Sequence, residues 1–169
     1  SMVGRELTDR FPTREHNIGE VLFEVRNWNV YHPQQHERKV VDNVNIRIHR
    51  GEVVGIAGLM GAGRTEFAMS IFGRSYGSKI SGEIYKEGKK INLKTVSDAV
   101  NNRIAYASED RKTYGVVQLQ SIMENITLAN LTKVSKHSVV DSYQQLNAAN
   151  NAAEALSIKC STVLQRAGN

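Results

Sequence analysis

Apolar positions alternate with polar ones through the first part of the chain and take helical spacing towards its end. Val21-Leu22-Phe23-Glu24-Val25 reads as a first strand, and Val44-Asn45-Ile46-Arg47-Ile48-His49 alternates strictly, as a strand with one buried face does. Arg50-Gly51-Glu52 turns the chain into Val53-Val54-Gly55-Ile56-Ala57, a continuous apolar run expected of a central strand covered on both sides. After the glycine-rich segment 58–63, a helix is predicted from about Thr65 to Phe72, stopped by Gly73. Gly82–Lys86 and Lys90–Leu93 flank Glu87-Gly88-Lys89 as a hairpin. A short helix is expected over Thr95–Asn101 and a strand over Ile104-Ala105-Tyr106-Ala107. Ser121 and Glu124 form a capping box that opens a helix through Leu131. Asp141 caps a last helix to about Leu156, with Leu146, Ala149, Ala153 and Leu156 on one face.

Residues 4–20 are polar, contain Pro12 and show no period, so 1–20 reads as a linker or arm. The first residues lack the apolar run of a secretory signal, and no stretch is long and apolar enough to span a bilayer. With one cysteine, Cys160, no internal disulfide can form; a soluble, cytoplasmic protein is expected. The net charge of +5 raises the question of an anionic partner. The basic residues are scattered among Glu83, Glu87, Asp98, Glu109 and Asp110, which argues against nucleic acid and leaves acidic lipid and nucleotide phosphate open.

Gly58-Leu59-Met60-Gly61-Ala62-Gly63-Arg64-Thr65 matches the phosphate-binding loop GxxxxGK[ST] at every fixed position except 64, where Arg stands for Lys. The glycines let the backbone curl so that its amides converge, and the helix that follows adds unpaired N–H groups and partial positive charge. Thr65 offers a hydroxyl where Mg2+ would be held, and Glu66 begins the helix proper. Arg is a planar fork that grips phosphate oxygens but does not replace the compact Lys charge. Position 64 therefore leaves two readings open, a catalytic site and a weakened or regulatory one. Tyr106–Lys112 reads either as a solvated charged loop or as a ligand loop at the carboxyl end of a strand. Neither Ile104–Ala107 nor Val139-Val140-Asp141 makes a convincing acidic Walker B strand.

On these residues the chain resembles the second cassette of the two-cassette ATPases of bacterial monosaccharide ABC importers, the ribose, galactose and xylose type, along nearly its whole length. Met2-Val3-Gly4-Arg5-Glu6-Leu7 is similar to the stretch joining the two cassettes. Gly58–Glu66 is similar to that family's phosphate loop, in which Arg is usual. Ser108-Glu109-Asp110-Arg111-Lys112 resembles its Q-loop, and Met123-Glu124-Asn125-Ile126-Thr127-Leu128 its following helix. The resemblance implies an α/β P-loop NTPase core with an antiparallel β portion (about 21–49 and 82–93) and part of a helical arm (about 95–169). It implies ATP and Mg2+ as cofactors, nucleotide contacts by residues 58–66, and Mg2+ contacts by Thr65 and Glu109. Glu109 would stand where most cassettes carry Gln, able to ligate metal but not to donate a hydrogen bond. Adenine would stack on Tyr31 or His32, with Trp28 read as core. The implied partners are a preceding cassette or a second copy, a transmembrane sugar permease at the cytoplasmic face of the membrane, and indirectly an external sugar-binding protein.

The signature resembling LSGGQ, the Walker B acids and the switch histidine are absent from the sequence. The resemblance therefore implies an incomplete cassette with no complete catalytic set, which binds nucleotide without turnover. Two alternatives compete: a non-catalytic docking or regulatory module, and a self-contained P-loop kinase.

Overall fold

The computed structural model describes residues 17–168, so most of the 1–20 linker lies outside the described residues. Contacts divide the chain into two compact units, with the break between Tyr106 and Ala107.

In the first unit, β1 (Val21–Tyr31) is the long inner strand of an antiparallel sheet. It pairs with β2 (Lys39–His49) on one side and β3 (Ser78–Lys86) on the other, and β4 (Lys89–Ile91) closes the order β2-β1-β3-β4. The predicted hairpin forms, but Glu87 and Gly88 take positive φ (50° and 75°) and make a two-residue turn, so that Lys89, expected in the turn, already belongs to β4. β1 and β2 both run further than their sequence patterns suggested. Their extensions contain a bulge at Asn27 (φ 51°) and Asn43 (φ 49°) that interrupts the alternation. Asparagine side chains satisfy the displaced amides: Asn45 Oδ1 accepts from Asn27 N at 2.9 Å and Asn29 Oδ1 from Asn43 N at 3.0 Å. On β3, Gly82 sits against this bulge at φ 118°, where a Cβ would stand 2.7 Å from Asn27 O.

One face of the sheet is charged: Arg47 and Arg26 flank Glu24, and Lys90 pairs with Glu83. The other face is the core. Val25, Trp28, Val30, Val41 and Ile84 pack with Phe67 and Ile71 of α1 (Arg64–Ile71) and with Leu93. Trp28 is buried as expected, and its Nε1 donates to Ser70 Oγ at 2.9 Å. The helix stops before Gly73, as read from the sequence. A shorter helix, α2 (Val96–Asn101), follows behind a Thr95–Asp98 capping box.

Two predicted strands are corrected. Neither Val53–Ala57 nor Ile104–Ala107 forms a ladder, and Val53 and Ile56 are 78% and 49% exposed. An apolar run marks a strand only when neighbours take up its N–H and C=O groups, and among the described residues no strand pairs with either run.

In the second unit, Asp110 caps a π-type turn, Arg111–Gly115. The Ser121–Glu124 capping box opens α3 (Ile122–Leu128). α3 ends earlier than predicted, and a 3-10 turn, Leu131–Val134, leads into the small hairpin β5 (Ser135–Lys136) and β6 (Val139–Val140). Val139–Val140 is thus half of a two-stranded hairpin, and Asp141 serves as the cap of α4 (Ser142–Ala155), accepting from the Tyr143 and Gln144 amides. Ala149 is buried on the predicted face, but Leu156 falls beyond the helix and is 73% exposed. A buried hydrogen bond from Gln145 Nε2 to Thr127 Oγ1, 2.9 Å, ties α4 to α3. No described helix is long and apolar enough to cross a membrane.

Candidate functional site

The loop 58–65 runs from the extended segment 53–57 into α1. Gly61 and Gly63 hold φ of 80° and 81°, and Gly63, in the left-handed region, is the N-cap residue of the helix. Glycine is required at 63: a Cβ there would stand 2.4 Å from Val40 O, inside any permitted contact. Ala62 N donates to Leu59 O (3.1 Å), folding the tip, and Phe67 N donates to Gly63 O (2.8 Å), starting the helix. Leu59 and Met60 project from the tip, 85% and 99% exposed. No side chain caps α1, so the partial positive charge of its first turn has no built-in anion at the N-cap. Arg64 and Thr65 are exposed on that turn, and Glu66 follows half-buried. A Cβ on Gly58 would stand 3.0 Å from Ala62 Cβ and 3.7 Å from Arg64 Cδ, so the loop closes tightly on itself.

The two stacking candidates occupy different surroundings. Tyr31 has Lys39 and Lys79 ammonium groups at 5.6 and 5.7 Å from its ring centroid, so cations already take its ring. His32 begins a loop drawn together by His32 N donating to Arg38 O (2.8 Å) and Arg38 N donating to Gln35 O (2.8 Å). Its Nδ1 accepts from the Gln34 and Gln35 amides at 3.2 and 3.1 Å, which assigns the ring proton to Nε2. The imidazole meets the Tyr76 ring edge-on, with centroids 6.5 Å apart at 88°. Burial, and then the negative charge of Glu66, hold the Tyr76 hydroxyl above its ordinary pKa, while Arg38 opposes the shift. Tyr76 thus packs against the His32 loop. The sequence carries no signal for it, because Tyr76 belongs to no motif.

Glu109 is exposed and belongs to the second unit, whereas the loop 58–65 belongs to the first. Its neighbour Asp110 accepts from the Lys112 and Thr113 amides at 3.1 and 3.0 Å, which holds its carboxyl below the usual range. Asp110 therefore shapes the loop and leaves position 109 outside the turn. Among the described residues, no group of three or more His, Cys, Asp or Glu is set to hold a metal.

A glycine-lined, uncapped helix start beside an antiparallel sheet defines an α/β protein of the P-loop class. The model of the family described as ABC transporter matches residues 41–166, and the chain belongs to that family. The L-arabinose transport ATP-binding protein AraG of Geobacillus stearothermophilus is 57% identical over 165 residues, covering 98% of this chain and 32% of that protein. The xylose import ATP-binding protein XylG of Thermoanaerobacter pseudethanolicus is 51% identical over 168 residues, covering 99% of this chain and 33% of that protein. The chain thus spans about a third of the length of these curated relatives. A solved bacterial Atm1-family ABC exporter with ATP bound shares the fold, with a TM-score of 0.54 at 18% identity over 95% of this chain and 25% of that one.

Proposed function

We propose that the loop 58–65 binds the triphosphate of ATP, and that the chain is a nucleotide-binding segment of an ATPase that powers monosaccharide import. One observation carries the reading: Gly61 and Gly63, both near φ +80°, curl the main chain into the uncapped start of α1 with Arg64 and Thr65 on its first turn. That arrangement concentrates amide donors and positive charge on a small anion. Residues 58–66 would contact the phosphates, and His32 rather than Tyr31 would stack on adenine, because lysines occupy the Tyr31 ring.

Mg2+ would enter as a guest of the nucleotide. Thr65 would offer the ion a hydroxyl from the first turn of α1, with phosphate oxygens and water supplying the remaining ligands. Bound there, the ion would neutralise phosphate charge. The high identity to proteins named for arabinose and xylose transport supports the sugar-importer assignment. It supports the partners too: another cassette, a membrane permease at whose cytoplasmic face the segment would sit, and a sugar-binding protein reached through the permease. Residues 1–20 would be the link from a preceding cassette, and the chain after about residue 95 part of the helical arm.

Thermal unfolding with added Mg-ATP tests the reading. A binder gains about 2.7 kcal/mol at a hundredfold excess over its dissociation constant. Stabilisation without phosphate release is the expected result. No shift at millimolar nucleotide would favour the docking module, and steady phosphate release by the purified chain would favour the self-contained enzyme.

A further inference from the structure

We propose that Tyr76 is a positioning residue for nucleotide binding, holding the His32 imidazole edge-on so that its face stays presented to the base. The inference rests on His32 being the base platform and extends that reading to a residue outside every motif. A histidine held only at its backbone would turn about its side-chain torsions, and stacking would then carry the cost of ordering it. Here the ring is fixed at two points. Its Nδ1 takes the Gln34 and Gln35 amides, which fixes the in-plane direction, and the Tyr76 ring stands perpendicular at 6.5 Å, which fixes the tilt. An edge-to-face contact uses the rim of one ring against the face of the other, so Tyr76 leaves at least one imidazole face to a planar ligand.

Tyr76 is itself held firmly. It packs against the hydrophobic core and precedes Gly77, where a Cβ would stand 2.3 Å from Val30 Cγ1. The following residue, Ser78, donates from its Oγ to His32 O at 3.0 Å and meets His36 Nδ1 at 3.1 Å, so the strand start after Tyr76 and the His32 loop are fastened together.

The test compares ATP with inorganic tripolyphosphate, which has the phosphates and no base. Affinities of the 169-residue chain are measured for the parent, Tyr76→Leu, Tyr76→Phe, His32→Ala and the His32→Ala/Tyr76→Leu double variant. Tyr76→Leu should weaken ATP by about two- to tenfold, the range of an aromatic pair, and leave tripolyphosphate unchanged. Tyr76→Phe, which keeps the ring, should retain parental affinity for both. The double variant should bind ATP no more weakly than His32→Ala alone, because Tyr76 acts through His32. Equal losses of ATP and tripolyphosphate, or additive losses in the double variant, would overturn the proposal. An ATP affinity that His32→Ala lowers and Tyr76→Leu does not would overturn it while sparing His32 as platform. An ATP affinity indifferent to His32→Ala would remove both.

Discussion

Replacing Ser70 by alanine tests how α1, and with it the phosphate loop, is anchored to the sheet. Ser70 Oγ accepts from Trp28 Nε1 at 2.9 Å and donates to Phe67 O at 2.7 Å, and the two side chains are 0% and 3% exposed. Removing the hydroxyl strands an indole N–H in a space closed to water, which costs about 1–3 kcal/mol. At roughly 2–4 °C per kcal/mol for a chain of this size, the unfolding midpoint should fall by roughly 2–12 °C. Trp28 is the only tryptophan in the sequence, so urea unfolding followed by its emission reports on the first compact unit. The second arm is Trp28→Phe, which removes the donor. In that background, followed by circular dichroism, Ser70→Ala should cost much less, because no buried N–H is left without a partner. Two results would refute the reasoning: Ser70→Ala within about 0.5 kcal/mol of the parent, or an undiminished cost in the Trp28→Phe background.

Acid stability depends on Glu24, whose pKa the hydrogen bonds from Arg26 and Arg47 lower from 4.5 to about 2. Because the folded value lies below the unfolded one, the stability it contributes is present above about 4.5 and is lost as the pH falls towards 2. Glu24→Gln should therefore flatten the curve of stability against pH in that window, and an unchanged slope would count against the Arg47–Glu24–Arg26 group. Gly82→Ala places a Cβ 2.7 Å from Asn27 O and 2.8 Å from Arg26 O at φ 118°. Denaturant unfolding should show a loss of at least about 1–3 kcal/mol, the cost of a strained backbone; a parental midpoint would mean that the β1 bulge yields freely.

What the sequence discloses and what it hides divide along the range of the interactions. The Ser121–Glu124 box, the Asp141 cap, the helix stop before Gly73 and the Glu87-Gly88 turn each involve a few neighbouring residues, so local pattern was enough to read them. The shape of the glycine loop was legible for the same reason: its positive-φ glycines and helix start lie within eight consecutive positions, Gly58–Thr65. Strands depend on partners. Val53–Ala57 and Ile104–Ala107 have strand composition but no ladder among the described residues, whereas the bulge at Asn27 and Asn43 hid the full length of β1 and β2 behind a broken alternation. The choice between Tyr31 and His32 was illegible for a related reason. The surroundings that separate the two rings come from Lys79 and Tyr76, far along the chain, as well as from Lys39 on β2, and the β1–β3 register, with Tyr31 opposite Ser78, brings the first two alongside. Lys79 and Tyr76, which the sequence left unread, come from β3 and the residues leading into it, whereas Gly58–Thr65 is read from the loop itself. A substitution that shifted the β1–β3 register should consequently disturb base recognition before it disturbed the phosphate cradle.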